Sequence, residues 1–216
     1  HEGQEISLPY TGPGSVGLGK PLTSILHMNP HLPIWLGTGT ESNVKLTAEL
    51  ADGWLPLGFT PARMKGLRPW LEEGFRRAGG GKSLRDLEIQ PAVPVLITDD
   101  VGAALQTLKP RVALYVGGMG HRSKNFHKAM MVERGFGEAA ERIQELYLAG
   151  RKDEATAAVP DDFVDEGALV GPVGRIRERY RAWADCGITG MTVSTQQNEA
   201  MELMASLSGA RANATT

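Results

Sequence analysis

Gly37-Thr38-Gly39-Thr40, with Ser42 close behind, is the stretch whose residue types and spacing point most directly to chemistry. Two glycines within three residues let a ligand approach the backbone closely. A helix starting just after them presents unpaired N–H groups, and its dipole favours negative charge at that end. The hydroxyls of Thr38, Thr40 and Ser42 add donors, so a phosphate is the ligand these groups suit. The alternative is a small-residue turn joining a strand to its helix, since the run is neither a GxGxxG nor a Walker loop. Other reactive residue types offer less. His27 and His31 are four apart, but Pro30 between them breaks a helix, so they read as loop histidines. Cys186 is the only cysteine, which excludes an intrachain disulfide, and its apolar setting reads as core filling.

The elements that position the turn follow from the pattern around it. Pro33-Ile34-Trp35-Leu36 is a short apolar strand. Val44, Thr47, Ala48 and Ala51 then recur at i, i+3, i+4 and i+7, one face of a helix with Thr40 as N-cap. Asp52-Gly53 closes that helix, and a second strand resumes at Trp54-Leu55-Pro56-Leu57. This βαβ unit predicts two parallel neighbouring strands with a right-handed crossover.

Upstream, residues 1–32 read as an irregular excursion, with a short strand over 4–10 in which Ile6, Leu8 and Tyr10 alternate. Downstream, Thr60-Pro61 starts a helix, and Pro69 predicts a break and a second start. A third strand spans 87–98; Pro91 and Pro94 make its start irregular and leave 93–97 as the regular part. Asp99 or Asp100 caps the next helix. Residues 109–166 read as a helical insertion, with helices at about 138–149, ended by Gly150, and about 152–158. Ile176, Tyr180, Trp183 and Ala184 mark a further helix, 188–194 a fourth strand, and 199–207 a last helix before a polar, disordered tail over 208–216. The expected fold is α/β with a parallel sheet, a single domain built of four βα units, against the eight that a (β/α)8 barrel requires. An open four-stranded sheet is the alternative.

Composition bounds the class. Hydrophobic residues make up 41% and charged residues 22% of the 216, an ordinary globular balance. A net charge of −2, with the signs interspersed, gives no support for nucleic acid or an anionic membrane as partner. No apolar run approaches the roughly 20 residues of a membrane span. The opening residues lack a signal-peptide pattern, so a cytoplasmic enzyme is expected, and the His1 start suggests a segment of a longer protein.

The stretch IWLGTGTESNVKLTAELADGWLPLGFTPARM resembles the second half of the bacterial luciferase-like oxidoreductases, in particular the branch using the deazaflavin coenzyme F420. ALYVGGMGHRSKNFHKAMMVERGF at 113–136, IQELYLAGRKDEATAAVPDDFVDEGALVGP at 143–172 and RIRERYRAWADCGITGMTVS at 175–194 resemble the same branch. YVGGMG…NF is the most specific of these, whereas GITGMTVS and ADGW are common to the wider superfamily. The resemblance implies a TIM-barrel-type (β/α)8 fold, of which this chain covers the last four βα units. It implies hydride transfer between the deazaflavin, or alternatively FMN in monooxygenation, and a small organic substrate. It assigns the cofactor's phosphate to Gly37, Thr38, Gly39 and Thr40, with Asn43 in the helix's first turn. The chain departs from the family pattern at Thr40, where glycine is usual, and at Glu41, where proline is usual. Tyr115, His121, Arg122 and Asn125 are the candidates on the substrate side; the other reading packs this patch against the barrel or a dimer mate. No catalytic residue is nominated, because the family's ring pocket and acid–base groups lie on the first four strands. A homodimer is the expected assembly, since a half-barrel has two open strand edges. The competing functional readings are a non-catalytic half-barrel that serves as an interaction module and an unrelated phosphate-binding α/β domain.

Overall fold

The computed structural model describes every residue except Gln4, Ile6, Leu22 and 211–216. The described residues divide into two compact units, His1–Pro33 and Ile34–Thr216. In the first, Glu2 and Ser7 form an isolated antiparallel bridge and Ser15 N–H closes a turn on Gly12 O (3.0 Å). Val16, Leu18, Ile25, Leu26 and Met28 are exposed there. The strand expected over 4–10 rests on Gln4 and Ile6, which lie outside the described residues, as do 211–216 of the expected tail.

The second unit opens with β1 (Trp35–Thr38), α1 (Glu41–Leu50) and β2 (Gly53–Pro56), the two strands parallel and in register from Trp35↔Gly53 to Thr38↔Pro56. Gly53 begins β2 instead of ending α1, whose C-cap is Ala51. Glycine is needed at 53 because the Trp35 indole lies where its Cβ would stand, 2.1 Å away. A 3-10 turn, Pro61–Arg63, leads into α2 (Met64–Ala78), which runs unbroken through Pro69. The break expected at Pro69 is therefore absent. The proline removes one hydrogen bond, but Met64, Leu67, Leu71 and Phe75 bury a continuous face on either side of it.

The third strand is split as its prolines suggest, into β3 (Glu88–Ile89), paired with β2, and β4 (Ala92–Ile97). The two three-stranded sheets are parallel: β1-β2-β3, and β4 flanked by β5 (Leu169–Gly171) and β6 (Thr192–Ser194) in the order β5-β4-β6. β6 (Thr192–Ser194) is shorter and later than expected, because Thr189 engages β3 differently: its Oγ1 accepts from Ile89 N–H (2.8 Å) and its N–H donates to Ile89 O (3.0 Å). Thr189 and Gly190 both place their N–H on Ile89 O, so the regular ladder starts only afterwards.

Between β4 and β6 come α3 (Val101–Gly118), α4 (Phe126–Glu133), α5 (Gly137–Leu148), α6 (Lys152–Ala157), α7 (Asp161–Glu166), β5 (Leu169–Gly171) and α8 (Val173–Asp185). Asp100, not Asp99, caps α3, accepting from Ala103 N–H (2.9 Å). The boundary expected at 109 falls inside α3, which continues past Pro110 because Leu105, Ala113 and Val116 stay buried along one side. α4, α7 and β5 are additions to the sequence reading. α9 (Asn198–Leu207) closes the unit.

Two cores result. Val44, Trp54, Leu71, Ile89, Val93, Ile176, Trp183 and Leu203 join the strands to α1, α2, α8 and α9. Leu105, Val116, Met131, Ile143, Phe163 and Val170 knit the excursion α3–α7 together. Trp54 belongs to the first core, buried with its indole N–H on Thr38 O (3.1 Å). Gln197 fastens the loop after β6 to β4, its Oε1 accepting from Ile97 N–H (2.7 Å) and its Nε2 donating to Ile97 O (3.0 Å).

Candidate functional site

The turn after β1 sits at the C-terminal end of its strand, where parallel α/β folds hold ligands. Trp35 and Gly37 share one face of β1, with Leu36 and Thr38 on the other. Gly37 is exposed, and a Cβ built there would meet nothing within 4 Å. Thr40 occupies the N-cap position with extended backbone (φ −88°, ψ 153°), but its hydroxyl caps nothing. This corrects the expected side-chain cap. Val44 N–H is the first to close α1, on Thr40 O (2.8 Å), so the N–H groups of Glu41, Ser42 and Asn43 precede the helical ladder. Thr40, Ser42 and Asn43 are exposed.

Thr38 plays a different part. Thr47 Oγ1 donates its single proton to Asn43 O (2.7 Å), so in the 2.9 Å Thr38–Thr47 contact Thr38 must be the donor. Its hydroxyl is thereby spent holding α1 to β1 and has no proton left for an anion. Glu41, the carboxylate nearest the turn, pairs with Lys45 one helical turn on (2.5 Å).

α4 lies across this turn and the next. Phe126 Cζ stands 2.8 Å from where a Cβ of Gly39 would be, and Met130 Sδ is equally intrusive at Gly58, 2.3 Å away. Glu133 pairs with Arg63 (3.1 Å), whose guanidinium also donates to Gly58 O (3.0 Å). Phe126, Met130 and Glu133 stand at i, i+4 and i+7, one face of the helix. Gly39 thus makes room for Phe126, whereas Gly37 leaves open space.

The candidates on the excursion separate on inspection. Asn125 is buried and its amide is fully engaged: Nδ2 donates to Tyr115 O (3.1 Å) and Val116 O (2.9 Å), and Oδ1 caps α4 at Lys128 N–H (3.0 Å). It joins the end of α3 to the start of α4, a structural use of every hydrogen-bonding atom. Tyr115 meets His127 edge to face (4.6 Å between centroids), and the Arg111 guanidinium lies 5.6 Å from the Tyr115 ring centre. His127 went unnoticed in the sequence. It is half-buried between Tyr115 and Phe126, and burial holds its pKa below the ordinary histidine value. Its signal was the aromatic residue just before it in NFHK. Arg122 is exposed in a tight loop closed by the His121↔Lys124 bridge, within which His121 Nδ1 accepts from Ser123 N–H (3.2 Å).

A groove of about 610 Å³ lined by Phe75, Arg76, Lys82 and Arg85 lies at the other end of the strands. Part of its polar lining is used internally: Lys82 Nζ donates to Ala51 O (2.7 Å) at the end of α1, and Ser83 and Asp86 cap each other's turn. Among the described residues no group of three or more His, Cys, Asp or Glu could hold a metal ion, and no helix is long and apolar enough to cross a membrane.

Parallel βα units with an open, donor-rich turn at a strand's C-terminal end define a protein of the (β/α)-barrel type. The luciferase-like monooxygenase family model matches residues 11–190, and the chain belongs to that family. It is 41% identical over 207 residues to a protein of Mycobacterium tuberculosis named as a coenzyme F420-dependent oxidoreductase, covering 95% of this chain and 59% of that protein. Identity to the 5,10-methylenetetrahydromethanopterin reductase of Methanopyrus kandleri is 25%, over 80% of this chain and 48% of the relative. The chain therefore spans about half the length of the curated relatives it matches. Among solved structures it resembles the coenzyme F420-dependent tetrahydromethanopterin reductase of Methanopyrus kandleri (TM-score 0.62, 22% identity, 80% of this chain and 48% of that one). It also resembles an F420-dependent secondary alcohol dehydrogenase in complex with an F420-acetone adduct (TM-score 0.55, 15% identity, 87% and 48%). At these identities the structural likenesses establish the fold.

Proposed function

We propose that the protein is an oxidoreductase that transfers a hydride between coenzyme F420 and a small organic substrate, and that the turn after β1 holds the coenzyme's phosphate. The observation that carries this reading is the set of donors left over at that turn. The N–H groups of Glu41, Ser42 and Asn43 and the hydroxyls of Thr40 and Ser42 lie at a helix N-terminus that follows the open strand end at Gly37. That donor set fits a phosphate monoester or diester. The names borne by the relatives favour the deazaflavin over FMN, the alternative, which would present its phosphate to the same groups.

When bound, the deazaflavin supplies a ring carbon that gives or takes a hydride. Gly37 admits the ligand to the strand end, the first turn of α1 neutralises its charge, and Thr38 keeps α1 in place. Glu41 is drawn by Lys45 along the helix, which lowers its repulsion toward an anion. Tyr115 and His127 form the substrate side. Their ring polar atoms have no hydrogen-bond partner among the described residues. Asn125 supports them from below.

One observation favours the interaction-module reading. Ile34, Leu46 and Leu50 are exposed beside β1, whose only strand neighbour among the described residues is β2. A fluorescence titration with coenzyme F420 and with FMN decides between them. Saturable F420 binding that Thr40→Val with Ser42→Ala weakens about ten-fold is expected, from two hydrogen bonds to a charged group. Binding of neither cofactor by the full-length protein would leave the module as the better account.

A further inference from the structure

The donors at the turn after β1 are all neutral groups. From Trp35 to Leu50 the charged residues are Glu41, Lys45 and Glu49, so this segment has no surplus of positive charge. Glu41 is the first residue of α1, and its N–H is one of the donors that precede the helical ladder. Its exposed carboxylate meets Lys45 Nζ (2.5 Å), which neutralises it and leaves nothing over. The neighbouring cations are engaged too. On α4, which lies across the turn, Lys128 pairs with Glu141 (2.6 Å). At the turn after β2, Arg63 pairs with Glu133 (3.1 Å). His127, beside Phe126 on α4, is half-buried, and burial disfavours its protonated form.

An anion on the first N–H groups of α1 would stand within roughly 8 Å of the Glu41 carboxylate, by the bond lengths of one residue. That is about one Debye length at physiological salt, so the two charges still interact. The start of a helix offers the equivalent of about half a positive charge. It can favour one negative charge, but a second finds no counter-ion and gives up more hydration. Proline, usual at this position in the family, has neither a charge nor an N–H. Glu41 supplies both, one extra donor and one negative charge.

We propose that Glu41 makes this turn selective for a singly charged phosphodiester over a doubly charged phosphate monoester. This rests on the phosphate reading above and narrows it, because coenzyme F420 carries its phosphate as a diester and FMN as a monoester. The competing explanation is that Glu41 serves α1 alone, as an acid in its first turn paired at i+4.

The test is calorimetric titration of the full-length protein with two probes that share one deazaflavin ring and ribityl chain. One ends in a phosphate monoester, the other in the methyl diester of the same phosphate. At about pH 8 the monoester is doubly charged, since its second proton leaves at about pH 6. There the diester is expected to bind about three- to ten-fold tighter, and the gap should shrink toward about pH 5.5. The diester curve carries any titration of the protein itself, that of His127 included, so the ratio isolates the ligand's charge. Glu41→Gln should narrow the gap at the higher pH about two- to three-fold, and Lys45→Gln should widen it by a similar factor. Both variants break the same ion pair, so a purely structural role would move the ratio in the same direction in both. Glu49→Gln, further along α1, should change it less than Glu41→Gln does. Equal affinity for the two probes at the higher pH, or tighter binding of the monoester, overturns the proposal. So does a gap that persists at low pH, one that Glu41→Gln leaves unchanged, or one that Lys45→Gln also narrows. Binding of neither probe by the unaltered protein removes the phosphate reading and this inference with it.

Discussion

The turns after β1 and β2 are neighbours built on one plan, and α4 rests on a glycine of each, yet they leave very different things for a ligand. After β2 the chain satisfies itself. Pro61 brings no N–H, Arg63 N–H closes on Thr60 O (3.0 Å), and the Arg63 guanidinium covers Leu57 O (3.4 Å) and Gly58 O (3.0 Å) while pairing with Glu133. After β1 the helix begins without a side-chain cap, and its first N–H groups are not consumed. A glycine at a strand end therefore does not mark a ligand site. The marker is the inventory of donors that remains after the protein has made its own hydrogen bonds. The same inventory weighs against the groove beside Phe75 and Lys82, whose lysine and capping pair are already engaged.

The most disruptive way to break the comparison is Gly58→Ala. Gly58 has φ +58°, and Met130 Cε and Sδ both lie 2.3 Å from the new methyl position. Backbone strain and overpacking together should cost about 2–4 kcal/mol. Denaturant unfolding measures it. On the proposed reading the residual folded protein should keep its affinity for F420, because Arg63 engages the carbonyls of this turn within the protein. A variant as stable as the parent would mean that α4 does not bear on this glycine.

A smaller pair of substitutions sharpens the contrast within the first turn itself. Thr38→Val removes the donor to Thr47 and should lower stability by about 1 kcal/mol while sparing affinity. Thr40→Val removes a hydroxyl that caps nothing, so stability should hold while phosphate affinity falls about three- to ten-fold. Unfolding and titration on the two proteins should cross over in this way. Equal behaviour in both assays would sink the division of labour between the two threonines.

That division also shows where sequence reasoning reached and where it stopped. β1, α1 and β2 were legible because the apolar strands and the face Val44, Thr47, Ala48 and Ala51 are local patterns. Thr38 looked like one more donor, because its partner Thr47 becomes a neighbour only once α1 folds back on β1. Pro69 misled for the opposite reason: a local rule was overridden by a face buried on both sides of the proline. β5 is three residues long and exists through its pairing with Val95, Leu96 and Ile97, far away in sequence. α7 was readable in principle, with Pro160 before Asp161 and Asp162 as a helix-start signal. In YVGGMG, Gly117 and Gly118 give room to the Tyr147 side chain, whose Cβ and Cε1 stand 2.4 and 2.5 Å from the positions their Cβ atoms would take. The most specific stretch of the resemblance is therefore in part a packing signature of the excursion.

The smallest expected effect concerns His127, which sits on α4 beside the open turn and has no counterpart beside the closed one. Burial between Tyr115 and Phe126 disfavours its protonated form, and the Arg111 guanidinium over Tyr115 adds no relief. In the unfolded chain the imidazole regains its ordinary value of about 6.5. Above that pH it is neutral in both states and contributes nothing to the pH dependence. As the pH falls below it, the unfolded chain takes up a proton that the native state resists, so stability drops until the pH passes the lowered native value. His127→Phe keeps an aromatic ring in the slot and has no proton to take up. Urea unfolding of both proteins from about pH 8 to about pH 5 should show the parent losing stability relative to the variant on the acid side only. The carboxylates common to both cancel in that difference. A gap that stays constant across the range would place His127 in water in the native state, and would withdraw it from the substrate side, where a neutral, unpartnered imidazole was its qualification.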